Sequence, residues 1–377
     1  MQSKIYRLPT YLKIIIGSFL FIWCLIAIFP LLWVVLMSIK LPIDSFSSNP
    51  LEVILGPETI KQRGGLSLIN IFSVIVLIYF YIRIYRFKLN IFLSIKNFLS
   101  SSLLSFIVAL VTYTLFFLTG YILIVYLLGE FINNLFLQTI FFDFLSKPII
   151  GFTSKHYEAV WFINEFYKQF FNTIIVTLGV ITISLSVGTL AGYALARSNS
   201  MIAFWLLIAA LIFRALPHSV LVTGYLEPFI EYGFYGKKSA VIILLVAINQ
   251  PFTIWMLRSF FMNIPQDLDD AAQIDGCNPF QAFWLVIMPL MWPGVITTGL
   301  FSFLLAYNDY LVAALLLDGQ SQTMIPAIIQ YFNMETTMTD LVEAIAAAAS
   351  ITAPLFLLVL FFQKQIISGL TTGAVKG

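Results

Sequence analysis

Long apolar runs separated by short polar stretches dominate this chain. A bilayer's hydrocarbon core takes about 20 consecutive apolar residues per helix. Eight segments meet that requirement: 14–38, 66–82, 101–127, 170–195, 201–225, 239–261, 291–316 and 342–363. Pro30, Pro251 and Pro354 fall inside them, which spanning helices tolerate when neighbours satisfy the freed carbonyls. The first run, Ile14 to Ile39, holds 26 residues without a charge. That is too long for the apolar core of a signal peptide, and no small-residue cleavage site follows it, so it is expected to remain as a span. The pattern predicts an all-α polytopic membrane protein of about eight transmembrane helices.

One stretch breaks the pattern. Ile264 to Pro279 is polar and closely punctuated. Pro265 suits a first helical position, and Asp267, Asp269 and Asp270 crowd the first turn, where the helix dipole favours carboxylates. Gly276 reads as a left-handed stop; Asn278 and Pro279 then read as the cap and first residue of a second helix, which gives way to the next span at Pro289. The prediction is a short helix, a sharp corner and another helix. Leu268, Ala271, Ala272 and Ile274 put mostly small apolar side chains on part of the short helix, allowing a partner's groove to approach its backbone. A solvated loop with no partner is the plainer reading of the same residues.

Composition narrows the field. The 377 residues are 60% hydrophobic, 16% aromatic and 10% charged, with a mean hydropathy of +0.96. Soluble globular domains carry about a quarter charged residues, so that class is excluded. A net charge of +2 gives no argument for nucleic acid. Cys24 and Cys277 lie in unrelated segments, and His156 and His218 are the only histidines, so neither a disulfide framework nor a metal site is indicated. The Gly233 to Ser239 stretch has the wrong spacing for a phosphate-cradling loop, and Lys238 stands at its Ser/Thr position. No catalytic constellation is found, and the chain is not expected to be an enzyme. Gly188 and Gly192 form a small-xxx-small face of the kind that packs helices.

Basic residues beside the spans set the orientation. Lys4, Arg7 and Lys13 place the N-terminus in the cytoplasm; counting eight crossings puts Arg83, Arg86, Lys88, Lys96, Arg197, Lys364 and Lys376 on the same side, together with the Asp270 loop. Lys237 and Lys238 are the exception and land outside.

The polar stretch resembles the cytoplasmic EAA loop of permease subunits of bacterial ATP-binding-cassette importers. Asp270 stands at the Glu position, Ala271 and Ala272 match, Asp275 and Gly276 match the Asp-Gly pair, and Pro289 closes the motif. Further runs carry the likeness from about Phe166 onward: Asn172 with the run to Ala194-Leu195-Ala196-Arg197, Arg214-Ala215-Leu216-Pro217, Pro251 to Phe261, Tyr307-Asn308-Asp309-Tyr310, and the tail from Gly369 to Gly377. Together they are similar to the second permease subunit of maltose-type carbohydrate importers.

That resemblance implies a six-helix type I importer core plus an inserted two-helix hairpin. It divides the chain into 1–49, an N-terminal tail and first span; 50–160, the insertion with external loops; and 161–377, the core with its EAA loop at 264–289 and its C-terminal tail. The implied partners are a second permease subunit completing a heterodimer, two cytoplasmic ATPase subunits, an extracytoplasmic solute-binding protein and membrane lipid, with no nucleic acid. No cofactor is expected on this chain, ATP and Mg belonging to the ATPase subunits. The implied location is the bacterial cytoplasmic membrane with both termini cytoplasmic. Asp270, Ala271, Ala272, Asp275, Gly276 and Pro289 would couple to the ATPase, and Gly369, Gly373, Lys376 and Gly377 would reach its interface. Polar groups in spans are costly and mark pathways, which singles out Arg214, Asn249, Gln250, Asn308 and Asp309. A secondary transporter and a non-transporting scaffold remain the alternatives; the first would need midplane ionisable groups and an internal repeat, and the second leaves the capped loop without a use.

Overall fold

The computed structural model describes residues 9–79, 81, 118–137, 143–198, 200–214, 218–332 and 337–374. Among them, five helices are long and apolar enough to cross a membrane, joined by the shorter apolar helices Leu68–Tyr79 and Met201–Arg214. The basic loop at 83–96 and most of the expected 101–127 span lie outside the described residues. The chain forms two compact units, Met1–His156 and Tyr157–Gly377.

In the first unit, helix α1 (Thr10–Ser38) is apolar on every side, and its side chains are almost all exposed, as befits a surface solvated by lipid. Three short helices follow, α2 (Pro42–Ser45), α3 (Pro50–Leu55) and α4 (Pro57–Arg63), each opened by proline at its first position, where the missing N–H costs nothing. Strand β1 (Gly65–Ser67) then pairs antiparallel with β2 (Pro148–Gly151), Gly65 facing Gly151. The intervening chain thus leaves and returns at one point. A polar knot holds the neck: the Lys40 ammonium donates to the Gly151 carbonyl, the Lys40 carbonyl meets His156 Nε2 at 3.0 Å, and Asp44 Oδ2 accepts from the Thr59 N–H and hydroxyl, both at 2.6 Å. Lys40 is fully buried and His156 nearly so.

The second unit is built on a parallel pair, α5 (Phe166–Arg197) and α6 (Lys238–Phe261). Their contacts run in register: the Lys238 ammonium donates to Asn172 Oδ1 at 2.7 Å at one end, and Arg197 donates to the Phe261 carbonyl at 3.3 Å at the other. Between these, a Cβ on Gly188 would fall 2.6 Å from Thr253 Cγ2, and one on Gly192 would fall 3.1 Å from Leu257 Cβ. Without a hydrophobic force between helices in lipid, such close approach is what holds them. Two same-direction helices need a returning crossing. It is supplied by the helical residues Met201–Arg214 and His218–Glu231, on either side of 215–217, which lie outside the described residues.

Helix α7 (Pro279–Tyr307) runs antiparallel to this pair, closing the loop end with Phe283, Ile287, Met288 and Met291 packed on Leu257 and Phe261. At the far end, Tyr307 packs with Phe166, Met324, Ala344 and Ala347. Helix α8 (Met338–Ala374) returns beside them, held by hydrogen bonds from Tyr307 Oη to the Ile351 carbonyl and from Trp161 Nε1 to Ser350 Oγ, both 2.9 Å.

Two expectations for this region are corrected. The helix opened at Pro279 continues through Pro289 into the span; a π-helical turn at Phe283–Ile287 lies just before Pro289, at the place where the ring has no N–H to give. The span also stops at Tyr307 rather than reaching 316, because Asp309 Oδ2 accepts the Ala313 N–H at 2.9 Å and starts the separate helix Leu311–Leu316.

Candidate functional site

The polar loop sits at the end shared by the C-terminal ends of α5 and α6. Its short helix is Asp267–Ile274, beginning two residues after Pro265. Gly276 has φ +93°, and the Cys277 and Gly276 amides donate to the Ala272 and Gln273 carbonyls, both at 3.0 Å. This paired closure ends a helix through a left-handed residue, which glycine adopts without strain. Asn278 and Gln281 then cap each other's backbone amides at 2.8 and 2.9 Å, starting α7 with Pro279 at its first position. Helix, corner and helix follow from these local rules.

The corner is anchored by one of the three first-turn acids. Asp269 is buried, while Asp267 and Asp270 are exposed. Its Oδ1 accepts the Tyr193 hydroxyl at 2.5 Å, and its Oδ2 faces Arg197 Nε and Nη2 at 2.9 and 2.8 Å. Arg197 Nη1 also donates to the Phe261 and Ile264 carbonyls, at 3.3 and 3.1 Å. The Tyr193 ring sits among Arg197, Phe261 and Phe283, its centroid 4.8 Å from that of Phe283. The side chains of Arg197 and Asp269 are 16% and 10% exposed. The loop is therefore bolted to the ends of α5 and α6, so that displacing one displaces the others.

Of the predicted coupling residues, Ala272 lies on this inner face, while Asp270, Ala271, Asp275, Gly276 and Pro289 are on the exposed side. Ile274 and Phe280 beside them are 86% and 65% exposed. Arg197 and Asp269 are not among the site residues expected from the sequence. The signal available was an arginine closing a span and an acid three residues before Ala272. In the tail, Gly369 and Gly373 lie within α8; Lys376 and Gly377 fall outside the described residues.

The five pathway candidates do not form one cluster. Asn249, 1% exposed, donates to Ser302 Oγ at 2.7 Å and Thr253 Oγ1 at 3.0 Å, toward α7. Gln250 turns the other way, its Nε2 3.4 Å from the Ser184 carbonyl of α5. Arg214, expected mid-span, is the last described residue before 215–217 and holds its guanidinium 4.6 Å from the Phe252 ring centroid. Asn308 and Asp309 are at the far end: Asn308 is exposed and donates to the Leu304 carbonyl at 3.0 Å, and Asp309 Oδ2 accepts the Ala313 amide in the first turn of the next helix. Among the described residues no group of three or more potential metal-ligating side chains occurs.

Residues 184–371 match the family described as binding-protein-dependent transport system inner membrane component. A trehalose transport system permease protein of Mycobacterium tuberculosis is 34% identical over 226 residues, spanning 60% of this chain and 82% of the relative. A trehalose/maltose transport system permease protein of Thermococcus litoralis is 32% identical over 239 residues, 62% of this chain and 86% of the relative. Among solved structures, a bacterial ABC transporter involved in import of the acidic polysaccharide alginate is similar with a TM-score of 0.48 at 22% identity, covering 59% of this chain and 81% of that one. The chain belongs to the family of inner membrane components of binding-protein-dependent transport systems.

Proposed function

We propose that this protein is the transmembrane permease subunit of an ATP-driven importer for a carbohydrate, coupled to a separate ATPase through the loop at 264–289. The observation that carries the coupling is the bolt between Asp269 and Arg197, which ties an otherwise exposed, capped corner to the ends of two spanning helices. A corner fixed to its own helices and exposed on its other face transmits a push. The carbohydrate class is supported by the relatives named for trehalose and maltose transport.

In this reading the chain forms half of the pathway with a second permease subunit, receives its solute from an extracytoplasmic binding protein, and rests on two cytoplasmic ATPase subunits that hold ATP and Mg. Both termini face the cytoplasm, and the exposed Asp270, Ala271, Asp275 and Gly276 meet the ATPase. The glycine tail at Gly369 and Gly373 extends toward the same subunit.

The test is ATP-driven uptake of labelled sugars by cells carrying the complete system, together with affinity capture of the tagged chain. Co-purification of an ATPase and a second permease, and loss of uptake when Gly276 is replaced while membrane insertion stays normal, are the expected results. Uptake unaffected by changes throughout 267–276, or capture of the chain alone, refutes the reading.

A further inference from the structure

At the end of the second unit opposite the loop, a cavity of about 570 Å³ opens among Asn164, Gln169, Gln330, Tyr331, Asp340 and Glu343, with Phe166 and Ala327 as apolar lining. Its volume is within the roughly 300–1,000 Å³ range of small-molecule sites. Asn164 Nδ2 donates to both Tyr331 Oη and Glu343 Oε2, each at 2.9 Å, and so joins the segment before α5, the turn at 330–332 and α8. Both amide hydrogens are then used. Asp340 Oδ2 is taken by the Thr337 amide and hydroxyl at 2.7 and 2.8 Å, and Gln330 Nε2 donates to Gln322 Oε1 at 2.6 Å.

What these bonds leave over decides the chemistry. Asn164 Oδ1, Gln169 Oε1, Glu343 Oε1, Asp340 Oδ1 and Gln330 Oε1 are acceptors, whereas the donors left are the Tyr331 hydroxyl's own hydrogen and one amide hydrogen of Gln330. Among the described lining residues none is cationic. An acceptor-rich wall with two carboxylates favours a ligand made of hydroxyl donors and repels one made of anionic acceptors.

We propose that this cavity is a binding subsite for a neutral, hydroxyl-rich saccharide, selecting it against phosphorylated or acidic sugars. The inference deepens the carbohydrate reading above and rests on it for the role of the site in import. The full-length chain in lipid nanodiscs is titrated with trehalose and maltotriose and with trehalose 6-phosphate, read by calorimetry and saturation-transfer NMR. Saturable millimolar binding of a neutral sugar is expected, at least tenfold tighter than that of the phosphate. Glu343→Gln, which keeps the side chain's shape, narrows that gap to under threefold. Tyr331→Phe, which keeps the ring, weakens neutral-sugar binding at least fivefold; unfolding temperatures of both variants serve as the folding control.

The proposal is overturned if neither neutral sugar binds saturably, if the phosphate binds as well or better, or if only an amine such as glucosamine binds. It is also overturned if both variants bind like wild type. ATP-driven uptake in cells separates the two readings. Import that continues with an unchanged apparent affinity in both variants removes the subsite and leaves the importer. A complete system that imports no carbohydrate removes the importer reading itself.

Discussion

Breaking the Arg197–Asp269 bolt tests the mechanical argument most directly. Each side chain is largely desolvated, at 16% and 10% exposure, and removing one partner of a buried pair costs about 3–5 kcal/mol because the other charge is left uncompensated. The two halves are not equivalent. Asp269→Ala leaves Arg197 with the Phe261 and Ile264 carbonyls at 3.3 and 3.1 Å, so its cost is expected at the lower end, about 3 kcal/mol. Arg197→Ala leaves the Asp269 carboxylate with the Tyr193 hydroxyl at 2.5 Å, and its cost is expected nearer 4 kcal/mol. The double variant removes both charges, and a coupling energy of about 2 kcal/mol should remain in the cycle. At about 2–4 °C per kcal/mol for a unit of this size, thermal unfolding in nanodiscs resolves these differences. The same variants, expressed and inserted normally, should lose ATP-driven uptake with ATP hydrolysis persisting in the complex. Losses that add to within about 0.5 kcal/mol, or full uptake in Asp269→Ala, would show that the contact transmits nothing.

Other outcomes follow from other parts of the molecule. Gly276→Val, at φ +93°, should cost about 1–3 kcal/mol locally and abolish uptake, with membrane insertion measured by protease accessibility left intact. Gly188→Val places a branched side chain where even a Cβ is 2.6 Å from Thr253 Cγ2; separating the parallel pair should destabilise by more than about 2 kcal/mol, whereas the same change at Gly17, with nothing within 4 Å, should be nearly silent by thermal unfolding. The knot of the first unit should give a pH signature. Burial lowers the Lys40 ammonium to about 8 from 10.5, against the pull of Asp44, and burial likewise lowers His156 below 6.5. In both cases the unfolded chain binds more protons, so stability rises with pH, between about 8 and 10.5 for Lys40 and up to about 6.5 for His156. Protection factors of the 40–63 amides, corrected for the intrinsic rise of exchange with pH, should increase across the first window, and Lys40→Met should erase that slope.

How far the sequence carries depends on whether a feature is local. The corner at 264–289 was legible because its signals act within a few residues: a left-handed Gly276, an Asn278 that caps Gln281, a proline opening α7. The apolar spans were legible because lipid demands length and hydropathy alone. The end of α7 was not, since hydropathy continues across Asp309 and only the carboxylate's bond to Ala313 shows where the helix breaks. Nor was the anchoring acid. The dipole favours Asp267, Asp269 and Asp270 alike, and what selects Asp269 is that it shares a face with Ala272, three residues on, turned toward an arginine 72 residues earlier.

Lys238 shows why one orientation signal ran against the rest. Counting basic residues beside spans treats every ammonium as free to sit in water or at a headgroup, held on one side of the membrane by its charge. That of Lys238 donates at 2.7 Å to Asn172, whose own amide nitrogen donates to the Gln320 and Gln322 carbonyls at 2.7 and 2.9 Å. It thus links the starts of α5 and α6 and the turn at 319–321 through one buried carboxamide. A lysine so committed is placed by packing rather than by translocation. Its position beside a span therefore carries no weight against the rest of the charge pattern, and replacing Asn172 with leucine should free it at the cost of this end of the parallel pair.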